Sequence, residues 1–192
     1  MKRLLLCTGI LFAATILFAQ AGSAPGAPPK VQKSPAAKET ATIGGKTIAI
    51  AYSSPRVNGR QGKIFGKDGL IGHDRTYPVW RAGANAATTL TTDADLKIGK
   101  LMVPKGTYTL YVDIADPAHW VLVVNKQTGQ WGTDYDKAQD LGRVPMKMAV
   151  PPAMVEELKY TLKDLGKVKG KEKGKLTLAW ENMSASVPLH VE

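Results

Sequence analysis

The chain has 192 residues, a formal net charge of +10 and a single cysteine. That cysteine, Cys7, lies in an apolar leader, so the chain expected after processing has none. Disulfides, thiolate metal sites and cysteine nucleophiles are excluded together.

The start reads as an export signal. Met1-Lys2-Arg3 is basic, Leu4 to Phe18 is apolar, and Ala19-Gln20-Ala21 is a small-x-small cleavage pattern. The apolar run is shorter than the roughly 20 residues a membrane span needs. Residues 1–21 are therefore expected to be a signal peptide, and the mature protein to be periplasmic or extracellular and soluble, with no transmembrane segment. Residues 22–40 (GSAPGAPPKVQKSPAAKET) are rich in Pro, Ala, Gly and Ser and lack apolar periodicity, which predicts a flexible linker. Residues 41–192 then form one domain, long enough to bury a core of its own.

Without Lys2 and Arg3 the balance is 24 basic against 16 acidic residues, or +8. The densest run, Lys167 to Lys175, holds five lysines and two glycines but no arginine and no aromatic residue. It reads as a solvated loop between strands, and no nucleic-acid partner is expected. An anionic glycan or lipid headgroup remains a partner for that loop.

From Thr42 onward the pattern alternates with period two. Ile48, Ile50 and Tyr52 share a face, as do Tyr108, Leu110, Val112 and Ile114. Trp120, Leu122 and Val124 alternate with Val121 and Val123, apolar on both faces, which predicts a central strand. Val144 to Val150, Leu158 to Leu162, Leu176 to Trp180 and Ala185 to Leu189 continue the alternation. Turns are expected at Gly44-Gly45, at Ile98-Gly99-Lys100 and, as a hairpin, at Pro104-Lys105-Gly106. Thr133 to Gly142 predicts at most one short helix, capped by Thr133 or Asp134 and stopped by Gly142. The fold class is all-β: an antiparallel, jelly-roll-like β-sandwich of about nine strands.

Ser53 to Val79 breaks the alternation and carries five glycines and two prolines. Long ordered loops of this kind are often functional. The turn that follows, VWRAGAN, brings together Trp80, Arg81 and Asn85. A guanidinium forks onto carboxylate, phosphate or sugar hydroxyls, an indole stacks, and an amide orients a polar ligand. Tyr52, Ser54, Arg56 and Arg60 form a second basic, hydroxyl-rich group. Ligand-binding residues are therefore expected at Tyr52, Arg56, Trp80, Arg81 and Asn85. The structural alternative has Arg81 paired internally, Trp80 in the core and Asn85 closing a turn.

Catalytic motifs are missing. There is no G-x-S-x-G elbow. His73, His119 and His190 lie in separate segments without metal-ligand spacing, although His73 and Asp74 adjoin. Asp113, Asp116, Asp134 and Asp136 supply carboxylates, but nothing selects a catalytic pair. No cofactor or metal is expected.

The segments TIGGKTIAIAYSSPRVNGR, GKIFG, VWRAGANAATTLTTDADLKIG, VPKGTYTLYV, WVLVVNKQTGQWG and LGRVPMK resemble the bacterial domain-of-unknown-function family 2911, over Ala41 to Glu192. The resemblance implies an exported β-sandwich with no established activity. The chain departs from the family pattern at Ala86, which stands where the family's GAN-E-A-T has Glu, and in the loop Leu70 to Pro78. The leading expectation is a non-enzymatic domain that binds a small polar or glycan ligand, or a protein partner, at the VWRAGAN loop. The alternatives are a hydrolase or isomerase of an anionic envelope or glycan metabolite, and a purely structural envelope protein.

Overall fold

Among the described residues, thirteen strands and almost no helix follow from a sequence whose apolar residues alternate and whose breaks fall at Gly, Pro, Asn and Asp. The computed structural model describes residues 33–192. The expected signal peptide and the first part of the expected linker lie outside these residues. The strands in chain order are β1 (Ala36–Ile43), β2 (Lys46–Ser53), β3 (Val79–Trp80), β4 (Thr88–Thr92), β5 (Leu96–Ile98), β6 (Leu101–Val103) and β7 (Gly106–Asp113). There follow β8 (Val121–Asn125), β9 (Asp140–Pro145), β10 (Lys147–Ala149), β11 (Val155–Val168), β12 (Lys171–Glu181) and β13 (Met183–Val191).

They form two antiparallel sheets. One runs β1-β2-β4-β7-β8-β9, with β3 added beside β7, and the other runs β11-β12-β13-β5-β6, with β10 added beside β13. The all-β sandwich is as the alternation predicts. Alternate residues of both sheets meet in a single core that includes Ile48, Ile50, Leu90, Leu110, Val112 and Leu122 from the first sheet and Leu158, Leu176, Leu178, Val187 and Leu189 from the second. β8 lies between β7 and β9 and is buried on both faces, as its uninterrupted apolar run requires. Its second face, with Val79 and Tyr111, is covered by Tyr135 from the Lys126–Gln139 segment.

Several local expectations are corrected. The strand count exceeds nine because β3, β5, β6 and β10 have only two or three residues, too few for alternation to register. Strand β1 begins at Ala36, inside the stretch expected to be linker. Its Ala, Glu and Thr residues give a weak apolar signal, and β2 supplies the ladder that orders them. The segment Thr133 to Gly142 is not an α-helix. It holds one 3-10 turn, Lys137–Gln139, capped by Asp136, and Asp140 already enters β9. Pro104-Lys105-Gly106 is not a hairpin turn, since β6 and β7 belong to different sheets and the chain crosses between them there. The lysine run is not a loop either. β11 continues to Val168 and β12 restarts at Lys171, so only Lys169 and Gly170, both at positive φ, form the turn.

The Ser54–Pro78 connection joins the two sheets at one end. The Val57 amide donates to the Glu156 carbonyl and the Leu158 amide to the Pro55 carbonyl, tying it to β11. The Gly62 amide donates to the Glu181 carboxyl, tying it to β12. It then enters the first sheet as β3. A segment anchored on both sheets in this way can shape a cavity between them.

Leu122 is 1% exposed in the most enclosed strand. Leu122→Ala should cost about 2–5 kcal/mol in a denaturant melt. The melting curve of residues 33–192 should not shift with reductant, because they hold no cysteine and so no disulfide constrains their unfolded state.

Candidate functional site

The VWRAGAN turn is built around one strained residue. Ala82 is fully buried with φ +50°, a conformation costly for a residue bearing a Cβ. Its carbonyl accepts two hydroxyl hydrogen bonds, from Thr88 Oγ1 at 3.2 Å and Tyr160 Oη at 2.9 Å. Thr88 belongs to the first sheet and Tyr160 to the second, so the turn is clamped from both. Burial raises the Tyr160 phenol well above its ordinary pKa, which keeps it a hydrogen-bond donor. Gly83 is needed because a Cβ there would lie 2.8 Å from Thr88 Oγ1. Asn85 closes the turn at φ +60°, which asparagine tolerates. Its Nδ2 donates to the Ser34 carbonyl at 3.4 Å.

This turn and the Ser54–Pro78 connection enclose a half-open cleft of about 500 Å³. Arg81, Asn85 and Trp80 line it with Asn58, Arg60 and Asp74. Nη2 of Arg81 donates to both oxygens of Asp74, at 2.9 and 3.0 Å. The two side chains are 16% and 22% exposed, so the pair sits in the wall with access to solvent. Nη1 and Nε of Arg81 have no protein partner among the described residues. Gly132 allows this placement, because a Cβ there would collide with Cδ of Arg81 and come within 2.8 Å of the Asn85 carbonyl. Arg60 lies at the cleft with its guanidinium bonded to the carbonyls of Val57 and Arg56 and to no carboxylate. Lys33 adds a third cation. Against these three stands the single carboxylate of Asp74, an excess of two positive charges.

The structure places the five expected binding residues unequally. Trp80, Arg81 and Asn85 line the cleft, but Tyr52 and Arg56 do not. Tyr52 packs edge-on against Tyr160 with ring centroids 4.8 Å apart, and burial raises its phenol pKa. Arg56 forms an exposed ion pair with Glu157, since its bridge to β11 turns it toward that strand. Trp80 is no free stacking platform. It is 1% exposed and stacks on Trp180 at 5.9 Å and 17°, with Phe65 and Trp120 packed around it. Arg60, expected in the second cluster, joins the site instead. Asp74 showed in the sequence only as the neighbour of His73; its pairing with Arg81, and the place of Trp180 beside them, come from the fold.

The other groups with chemical promise are engaged elsewhere. Ser54 is buried and its hydroxyl donates to the Leu158 carbonyl at 2.7 Å. Asp113 pairs with Arg143, Asp134 with Arg75, and Asp136 caps its own turn. The Ala118 amide and the His119 ring hold Asp116 below the usual carboxylate range. His119 is in the β7–β8 turn rather than at a strand edge. Burial and the Asp140 carboxylate push the Tyr135 phenol up to about 12. Among the described residues no three His, Cys, Asp or Glu side chains are grouped to hold a metal. No helix among them is long and apolar enough to cross a membrane. Ala86 is exposed, bridges to Trp131 and lies outside the cleft wall, so a Glu in that slot would project beside Trp131. Trp131 itself is 53% exposed.

Arg81 and Asp74 should behave as a unit. Arg81→Ala and Asp74→Ala should each cost about 1–3 kcal/mol in denaturant melts, and the double variant clearly less than their sum. Additive losses would show that the two side chains act separately.

No curated protein and no solved structure matches this chain. A family model, described as protein of unknown function (DUF2911), matches residues 34–189. With almost the entire described domain covered, from just before β1 into β13, the chain belongs to the DUF2911 family.

Proposed function

We propose that this is an exported binding domain whose cleft takes a small polar ligand bearing an oxyanion, a carboxylate or a phosphate. The observation that carries the reading is the charge of the cleft: Lys33, Arg60 and Arg81 against Asp74 alone. The donors of Arg81 left free by Asp74 supply a fork for an oxyanion, and pairing to Asp74 pre-orients them at little further entropic cost. Asn85, and Asn58 at φ +49°, add amides on backbone that does not need to move. The buried, mutually stacked Trp80 and Trp180 favour a compact anion over a sugar ring that needs an open indole face.

The rival reading is a hydrolase or isomerase acting on an anionic metabolite. Asp74 favours it, as a carboxylate inside the cleft whose only side-chain partner among the described residues is Arg81. The engagement of Ser54 and the placement of His73 outside the cleft wall weigh against it.

Thermal melts with phosphate, succinate and a panel of neutral sugars separate these readings. A binding oxyanion should raise the Tm with concentration, as RT ln(1 + [L]/Kd) requires, and added inert salt should weaken the effect. Arg60→Gln should remove the response and leave the unliganded melt within about 1 kcal/mol. A response to sugars alone, or none to any compound, would overturn the reading. Slow consumption of a stabilising ligand that stops in Asp74→Asn would favour the rival.

A further inference from the structure

The remaining members of the aromatic cluster open onto a second cavity. Phe65 and Trp120, with Tyr77, Ile114 and Met183, line a mainly apolar space of about 450 Å³. Two side chains of clear charge reach it, Glu181 and Lys67. Lys67 is exposed, whereas Glu181 is only 4% exposed.

Glu181 is unusual in three respects. It ends β12 at a tight turn into β13 with φ +55°, where glycine or asparagine is the ordinary choice. The residue is 4% exposed as a whole, yet its carboxyl forms no ion pair with any described residue. One oxygen accepts the Gly62 amide, and the other has no protein partner among the described residues. That one hydrogen bond needs an acceptor but no charge, and Gln would supply it equally. A carboxylate with one oxygen unpartnered beside mainly apolar walls offers a place for a cation at this cavity. The walls suit such a cation, because aromatic faces attract ammonium groups through their quadrupoles and gain strength when water is excluded.

We propose that this cavity is a second ligand site, separate from the oxyanion cleft, for a small organic ammonium with an apolar body. The ammonium pairs with Glu181 against the aromatic walls, and the apolar body lies along Ile114 and Met183. Lys67 at the same cavity opposes the cation, so it sets the affinity downward.

Calorimetric titration of the folded protein with 2-phenylethylammonium, against 2-phenylethanol as its neutral counterpart, tests the site. The ammonium should bind at least about tenfold more tightly than the alcohol. Glu181→Gln should lose about the same factor while keeping the Gly62 hydrogen bond. Lys67→Gln, at an exposed position, should bind the ammonium more tightly, and this arm stands even if the Glu181 variant folds poorly. Arg60→Gln should leave ammonium binding unchanged, which separates failure here from failure of the oxyanion reading. Absence of binding at millimolar ammonium, equal binding of the alcohol, undiminished binding in folded Glu181→Gln, or no tightening in Lys67→Gln would each overturn the proposal.

Discussion

Phe65 holds the cavity-bearing end of this sandwich together. Its ring centroid lies 5.8 Å from Trp80, 5.0 Å from Trp120 and 5.8 Å from Trp180. Trp80 comes from the first sheet, Trp180 from the second, and Trp120 from the approach to β8. Phe65 itself comes from the long connection between β2 and β3. One aromatic side chain therefore packs a glycine-rich loop onto both sheets at once. Aromatic contacts of this geometry contribute about 0.5–1.5 kcal/mol each beyond the area they bury. Together with the buried Val57, Ile64 and Ile71, they offset the ordering entropy of a segment with five glycines between Ser53 and Val79.

Both cavities depend on that packing. Trp80 and Trp180 contribute to the basic cleft, and Phe65 and Trp120 contribute to the apolar cavity. The hydrogen bonds of the loop then set what each cavity presents. Val57 and Leu158 tie the loop to β11 beside Asn58 and Arg60, and Gly62 ties it to β12 through Glu181. The Ala82 carbonyl, held by Thr88 and Tyr160, fixes the direction in which Arg81 leaves β3. Strained backbone at Asn58, Ala82, Asn85 and Glu181 gathers at these same two places. Strain of that kind persists only where the surroundings over-determine it, and here each residue is tied to a different element.

The sheets were legible in the sequence because one buried face imposes period two, and Ile48-Ile50, Leu176-Leu178 and Val187-Leu189 carry it plainly. Strands without that contrast escaped. β1 has a single large apolar residue, Ile43, among Ala, Lys, Glu and Thr, and β3 has two residues. The lysine run misled for a related reason, since lysines facing solvent on both sides of a long hairpin leave no apolar stripe to read. Trp80, Arg81 and Asn85 stood out by residue type and turn chemistry, and they do converge. Tyr52 and Arg56 shared that chemistry but face β11, which no local pattern encodes. The pairing of Asp74 with Arg81 and of Glu181 with Gly62 became visible only once the fold brought them together.

Hydrogen exchange on Phe65→Ala tests most directly whether this aromatic packing organises the cavity-bearing end. Amides of Gly69, Leu70, Ile71 and Gly72, which donate to carbonyls within the loop, should lose protection, while those of β7, β8 and β12 keep theirs. Unchanged protection in the loop, or an equal loss across loop and sheets, would contradict the account.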